Sequence, residues 1–309
     1  YVEPNMKVQA QFVPNDPYWS MQWGPQKIEA DLAWNTTVGD SSVLVAVVDT
    51  GIYYTHPDLA ANYVALGYDW VNMDTDPMDD HGHGTHCAGI ISAVLNNSIG
   101  IAGLAQVRVM AEKVLNSEAL GYWDWVANGI IHATDYGADI ISMSLGGYGY
   151  SELLHDAVKY AYDSGVLVIA AAGNDNTNMK IYPAGYDEVI AVAATDQSDY
   201  KAGFSNWGDW IELAAPGVNI YSTVPWDYES WSGTSMAAPH VSGMAALVWS
   251  RHPNKTRDLV RLWLRYTADD LGDPGFDVYY GYGRINARKA VEQTPPGHEL
   301  IAYEWRTPP

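Results

Sequence analysis

The strongest constraint on this chain is a set of short apolar runs: Val43–Val48, Ile140–Leu145, Val166–Ala172 and Val189–Ala194. They lack the strict polar–apolar alternation of a half-exposed strand, so they read as strands buried on both faces, as in a parallel sheet. Helical patterns lie between them. Leu153, Leu154, Ala157, Val158 and Ala161 recur at three- and four-residue spacing between Ser151 and a stop at Gly165, and Trp125–Tyr136 reads the same way. This alternation predicts an α/β fold: a single doubly wound, mostly parallel sheet with helices on both faces. In such sheets a site forms beyond the carboxyl ends of the strands. Polar or glycine-rich residues stand at those ends: Asp49, Ser144-Leu145-Gly146-Gly147 and Gly173-Asn174.

With 309 residues and 48% hydrophobic content the chain can bury one large core. No run approaches the ~18 apolar residues of a membrane span, so no membrane partner is expected. The start, Tyr1-Val2-Glu3-Pro4, lacks the basic and apolar regions of a signal peptide. The chain reads as trimmed, with any secretion signal upstream. A formal charge of −21 repels nucleic acid and anionic membranes alike. It reads as a solubilising surface, part of which could coordinate hard cations. The single cysteine, Cys87, excludes an internal disulfide.

A serine nucleophile requires a base, a group orienting that base, and donors for an oxyanion. Gly233-Thr234-Ser235-Met236-Ala237-Ala238-Pro239-His240 reads as the opening of a helix, with Pro239 tolerated among the free N–H groups of its first turn. Ser235 would sit at the positive end of the helix dipole. His81-Gly82-His83-Gly84-Thr85-His86-Cys87-Ala88-Gly89 offers the base, and its glycines permit close approach to the His83 ring. The three histidines have poor zinc spacing, and no Cys or Glu completes such a site. His81 reads as exposed, His86 as packed and structural, and Cys87 as a buried, inert thiol.

Asp49-Thr50-Gly51, His83-Gly84-Thr85-His86 and Gly233-Thr234-Ser235-Met236-Ala237-Ala238-Pro239 resemble the three signatures of the subtilisin-like serine proteases, the subtilases, in their Asp…His…Ser order. The resemblance is closest to thermitase-like members and runs from about Pro14 to Glu292. It implies Ser235 as nucleophile, His83 as general base and then acid, and Asp49 as the group fixing the His83 tautomer. Ala171-Ala172-Gly173-Asn174 resembles the oxyanion segment, with the Asn174 amide and the Ser235 N–H as donors.

The same resemblance implies a secreted serine endopeptidase of broad specificity, monomeric, acting on proteins and peptides. Substrate would bind as an added strand between Ser144-Leu145-Gly146 and Ala119-Leu120-Gly121. Ile181 falls where many members carry a small residue at the floor of the primary pocket, and Asp175 falls at its rim. Residues 12–292 would form the catalytic domain and 293–309 a proline-rich C-terminal extension. Tyr1–Gln11 resembles the end of a pro-domain, the family's intramolecular chaperone and inhibitor; self-cleavage between Gln11 and Phe12 would remove it. The alternative is an ordinary N-terminal extension.

Calcium is the implied cofactor. A tight site would draw on Asp16, Asp58 and Asn97 side chains and on carbonyls of Ile99, Ile101 and either Val94 or Leu95, an all-oxygen set suited to calcium. A second cluster, Asp69, Asn72, Asp74, Asp76 and Asp79, with Asp80 beside it, matches a calcium loop of thermitase-like enzymes; an exposed acidic loop is the plainer reading. A third, weaker cation site could use carbonyls of Ala184, Tyr186 and Val189. The rival to an active peptidase is a catalytically silent subtilase serving as a binding protein. It is disfavoured because all of Asp49, His83, Asn174 and Ser235 are present. A related fold with an acidic triad is disfavoured because His83 sits where that class has a carboxylate.

Overall fold

Side chains of the first strand go alternately to two different cores. Val45 and Val47 enter one apolar cluster, while Leu44, Ala46 and Val48 enter another on the opposite face. A strand with no solvent face must be apolar throughout, which is why period-two patterning is missing. A computed structural model describes residues 12–295. The proposed N-terminal segment and cleavage site at Gln11, and residues 296–309 of the C-terminal extension, lie outside the described residues.

A 3-10 turn at Trp19–Met21 leads into α1 (Trp23–Lys27) and α2 (Ala30–Ala33). Then follow β1 (Leu44–Asp49), β2 (Tyr68–Asp69), α3 (His83–Ser92), β3 (Arg108–Lys113), α4 (Trp123–Asp135), β4 (Ile140–Met143), α5 (Glu152–Asp163), β5 (Leu167–Ala171), β6 (Val189–Thr195) and β7 (Leu213–Pro216). The hairpin β8 (Ile220–Val224) and β9 (Asp227–Trp231) precedes α6 (Thr234–Arg251), α7 (Arg257–Thr267) and α8 (Ala287–Glu292). Strands β1 to β7 form one seven-stranded sheet in the order β2-β3-β1-β4-β5-β6-β7, with parallel pairing throughout. Helices α3, α6, α7 and α8 pack on one face and α4 and α5 on the other. The doubly wound α/β architecture read from the sequence is the architecture found. Among the described residues no helix is long and apolar enough to cross a membrane.

Helix α5 shows how local the instructions are. Ser151 caps it, accepting a hydrogen bond from the Leu154 N–H at 3.3 Å, and Gly165 ends the turn beyond it at φ +92°. Strand β3 is among the elements that the apolar runs miss, with β2, β7, β8 and β9. The β3 run is broken by Glu112 and Lys113, yet both side chains are buried.

Candidate active site

Asp49 ends β1, His83 begins α3, and Ser235 lies in the first turn of α6. Close approach of α3 to β1 requires glycine at position 84. A Cβ there would lie 2.1 Å from the Gly51 carbonyl oxygen, far inside contact distance. The approach to His83 is fixed by Asp79. Its Oδ1 accepts the N–H groups of His81 (2.9 Å) and Gly82 (2.8 Å), and its Oδ2 accepts the N–H (3.0 Å) and hydroxyl (2.5 Å) of Thr85. Both carboxylate oxygens thereby satisfy otherwise free donors at the start of a helix.

His83 Nδ1 lies 2.7 Å from Asp49 Oδ1, which also accepts the Thr50 N–H at 2.8 Å. An ionised carboxylate only accepts, so Nδ1 carries the hydrogen and Nε2 keeps a lone pair. Burial pushes the imidazole pKa down, but the charge of Asp49 and its hydrogen bond outweigh that, leaving His83 above its ordinary value of 6.5. His86, fully buried, is pushed down to about 3, chiefly by desolvation. It packs as a neutral ring, parallel to Trp231 at 4.8 Å, while His81 is exposed. Cys87 is buried, and desolvation raises its thiol pKa, so it stays protonated.

Ser235 Oγ donates to the Ser144 carbonyl oxygen at 3.1 Å and is not hydrogen-bonded to His83. In unliganded sites such contacts tighten only when substrate arrives. Pro239 does not lie among the free first-turn positions, as the sequence reading has it. It is the sixth residue of α6, four after Ser235, where an N–H would bond the Ser235 carbonyl. That carbonyl instead accepts the Ser144 hydroxyl at 2.7 Å and the Cys87 thiol at 3.4 Å.

Asn174 is held by its oxygen. Oδ1 accepts the N–H and the hydroxyl of Thr234 at 2.9 and 3.0 Å, so Nδ2 is left to donate. A Cβ on Gly233 would lie 3.6 Å from both Asn174 Nδ2 and the Ser235 nitrogen, so two donors converge beside the serine. This arrangement suits acyl transfer: a hydroxyl, a neutral imidazole oriented by a carboxylate, and two donors for developing negative charge.

Comparison with known proteins places the chain in a family. A model of the Subtilase family matches residues 40–283. The chain belongs to the subtilase family. Thermitase of Thermoactinomyces vulgaris is 48% identical over 284 residues, covering 91% of this chain and 100% of its own. A thermophilic serine proteinase of Bacillus sp. strain AK1 is 46% identical over 294 residues, 94% of this chain and 72% of its own. The halolysin-like extracellular serine protease Nep of Natrialba magadii is 44% identical over 303 residues, 96% of this chain and 56% of its own. As a subtilase the chain is a serine endopeptidase, a peptide-bond hydrolase.

The cleft of this subtilase, ≈ 670 Å³, brings together His83, Asn174 and Ser235 with both expected substrate edges, Ser144-Leu145-Gly146 and Ala119-Leu120-Gly121, and with Asp175 and Ile181. Asp49 lies behind His83, fully buried. Ile181 wedges between the two glycine-bearing walls: Cβ atoms at Gly146 and Gly173 would lie 2.7 and 2.8 Å from its Cδ1. Asp175 accepts the Tyr148 hydroxyl at 2.7 Å across the mouth.

Asp16 and Asp58 are buried side by side with the loop 94–101. Asp16 accepts the N–H groups of Asn96 and Asn97; Asp58 accepts Asn97 Nδ2 (2.8 Å), the Ile101 N–H (3.0 Å) and the Tyr228 hydroxyl (3.2 Å). Burial pushes the Asp58 carboxyl up to about 6 and raises Asp16 as well. Two buried carboxylates short of positive charge fit a divalent cation.

One of the other cation expectations needs correction. Asp79 does not join the Asp69 cluster, because both its oxygens are committed to the start of α3. Asp69, Asn72, Asp74 and Asp76 remain together on one loop, where Asp69 and Asp74 pair as an isolated bridge. At the weak site proposed on Ala184, Tyr186 and Val189, one of the three carbonyls is already engaged. Arg261 Nη2 donates to the Val189 and Asp187 carbonyls at 3.2 and 3.1 Å, and a fixed guanidinium repels a second cation there.

Sequence reasoning missed the support around the oxyanion segment. Thr234, inside a quoted motif, orients Asn174. Buried Asn206 accepts the Asp175 and Thr177 N–H groups at 2.9 and 3.2 Å and donates to the Ala172 carbonyl at 2.9 Å. No local pattern marks Asn206, which lies 31 positions from Asp175.

Proposed function

We propose that this subtilase is a secreted, calcium-stabilised endopeptidase of broad specificity with Ser235 as nucleophile. His83 Nε2 takes the Ser235 hydroxyl proton as Oγ bonds to the scissile carbonyl carbon. The oxyanion is held by Asn174 Nδ2 and the Ser235 N–H. His83 then gives the proton to the leaving amine as the carbon–nitrogen bond breaks. Water repeats the sequence on the acyl ester, releasing the acid and restoring Ser235. Asp49 keeps the imidazole oriented and stabilises its protonated form. The observation that carries this reading is the 2.7 Å Asp49–His83 hydrogen bond at the edge of the cleft that also holds Ser235.

Substrate would lie extended between residues 144–146 and 119–121, bound mainly through its backbone, with Ile181 favouring small or medium side chains in the primary pocket. Asp16, Asp58 and Asn97, with carbonyls of Ile99, Ile101 and Val94 or Leu95, would hold one calcium; Asp69, Asn72, Asp74 and Asp76 would hold a second. Bound calcium supplies charge to the buried carboxylates and staples a chain that has no disulfide. Secretion is supported by the extracellular relative from Natrialba magadii. The pro-domain reading of residues 1–11 would be met by finding Phe12 at the N-terminus of fully active enzyme; an active form retaining Tyr1 would sink it.

Stoichiometric labelling by an organophosphonate tests the central reading. One label per chain on Ser235, with loss of peptidase activity, is expected. An unlabelled, folded chain would instead support the silent binding protein.

A further inference from the structure

Lys113, the last residue of β3, carries a charge into the core. Its side chain is 1% exposed, a setting in which lysine is rare unless paired. An ammonium group has three hydrogens to donate, and each goes to a different segment. They reach the Thr50 carbonyl oxygen at 2.8 Å, Asp80 Oδ1 at 2.6 Å and the Leu115 carbonyl oxygen at 3.2 Å.

All three segments belong to the reacting centre. Thr50 follows Asp49. Leu115 lines the cleft. Asp80 follows Asp79, whose carboxylate gathers the backbone N–H groups of His81, Gly82 and Thr85 around His83. Lys113 is also the cross-strand partner of Asp49, and the N–H groups of Val114 and Leu115 donate to the Asp49 carbonyl at 2.9 and 3.1 Å. Asp49 needs such support. Its Oδ2 is buried and has no hydrogen-bond partner among the described residues, so its placement depends on the main chain around it.

We propose that Lys113 is a positioning residue for the peptidase reaction: its three hydrogen bonds lock the Asp49 strand end, the cleft wall at Leu115 and the approach to His83 into one arrangement. This rests on the reading of Asp49 and His83 as orienting group and base. Lys113 touches no substrate in this role. An apolar residue in its place leaves the Thr50 and Leu115 carbonyls without this donor and lets three segments relax independently. A misplacement on the order of 1 Å in a reacting constellation costs about 10²-fold in rate.

The test compares Lys113→Met, Lys113→Arg and Asp80→Asn on one chromogenic peptide, with folded sites counted by exhaustive phosphonate labelling of Ser235. Lys113→Met should lower kcat per labelled site about 10- to 100-fold, with KM within about threefold. Lys113→Arg, which keeps the charge and several donors, should recover most of that loss. Asp80→Asn, at a half-exposed partner, should give a smaller fall in kcat of the same kind. A Met variant with unaltered kcat, a loss confined to KM, or an Arg variant as slow as Met would overturn the proposal. Should Lys113→Met not fold, Asp80→Asn decides: unchanged kcat overturns the proposal. Failure of the unmodified protein to label at Ser235 would refute the triad reading instead.

Discussion

Ser144 and Ser235 exchange hydrogen bonds: the Ser235 hydroxyl donates to the Ser144 carbonyl at 3.1 Å, and the Ser144 hydroxyl donates to the Ser235 carbonyl at 2.7 Å. The second bond replaces the helical one that Pro239 cannot give. The first occupies a carbonyl on the edge expected to pair with substrate backbone, so substrate arrival would free the hydroxyl to turn toward His83. Ser144→Ala should lower kcat about 2- to 10-fold, the net worth of one hydrogen bond, while leaving the cleft intact. Unchanged kcat on a peptide substrate would show that the Cys87 thiol alone holds the Ser235 carbonyl.

Replacing Asn174 by Leu keeps the volume and removes the donor. The expected loss is about 10²–10³ in kcat, a magnitude borrowed from the same kind of change in a subtilisin. Steady-state kinetics separate this from a binding effect, since KM should move little. A near-normal kcat would take Asn174 out of the oxyanion hole.

The raised pKa of His83 sets opposite trends for activity and stability. Catalysis needs the neutral ring, so kcat/KM should fall as pH drops through a value above 6.5. Protonation adds stability because the folded pKa exceeds the unfolded one. That contribution is complete below the unfolded value and is lost as pH rises through the folded value. In Asp49→Asn, burial acts without the opposing charge, so the acid limb should move to lower pH while kcat falls by about 10⁴, as in the same change in another serine protease. Titrating kcat/KM of both forms checks the direction; a limb that stays in place would remove Asp49 as the cause.

Chelation should lower the melting temperature. Calcium at about a hundred times its Kd adds roughly 2.7 kcal/mol, or about 4 °C for a chain of this size. In the chelated form Asp58, with its carboxyl pushed up to about 6, favours the folded state more as pH falls from neutral. A raised carboxyl pKa stabilises in that direction, and the contribution is lost as pH rises through about 6. Calorimetry with EDTA at two pH values tests both points, and an unchanged melting temperature would count against both calcium sites.

Ile181→Ala should deepen the primary pocket. Cleavage after Phe and Tyr should rise relative to Ala and Leu by about 10- to 200-fold, the range for methylene-sized changes in a pocket. A peptide-library profile of both forms measures the ratio. Preference for Phe over Leu in the unmodified protein would mean that the Ile181 side chain does not set the depth.

Whatever short-range stereochemistry dictates is legible along the chain. Unalternating runs such as Val189–Ala194 require burial on both faces, and Ser151 and Gly165 begin and end a helix. Asp49, His83 and Ser235 lie in motifs whose glycines permit contacts closer than any side chain allows. Tertiary structure decided matters that depend on groups meeting across the chain. Lys113 looks like a break in a strand until Thr50, Asp80 and Leu115 surround it. Asp79 resembles a cation ligand until the start of α3 takes both its oxygens, and the Val189 carbonyl is free for a cation until Arg261, 72 positions away, reaches it. Ser144 and Ser235 are 91 positions apart, and only the packing of α6 against β4 brings the hydroxyl of one to the carbonyl that the proline of the other's helix leaves bare. Local pattern specifies which groups a segment offers; which of them are spent on the protein's own donors and acceptors follows from desolvation and contact in the folded core.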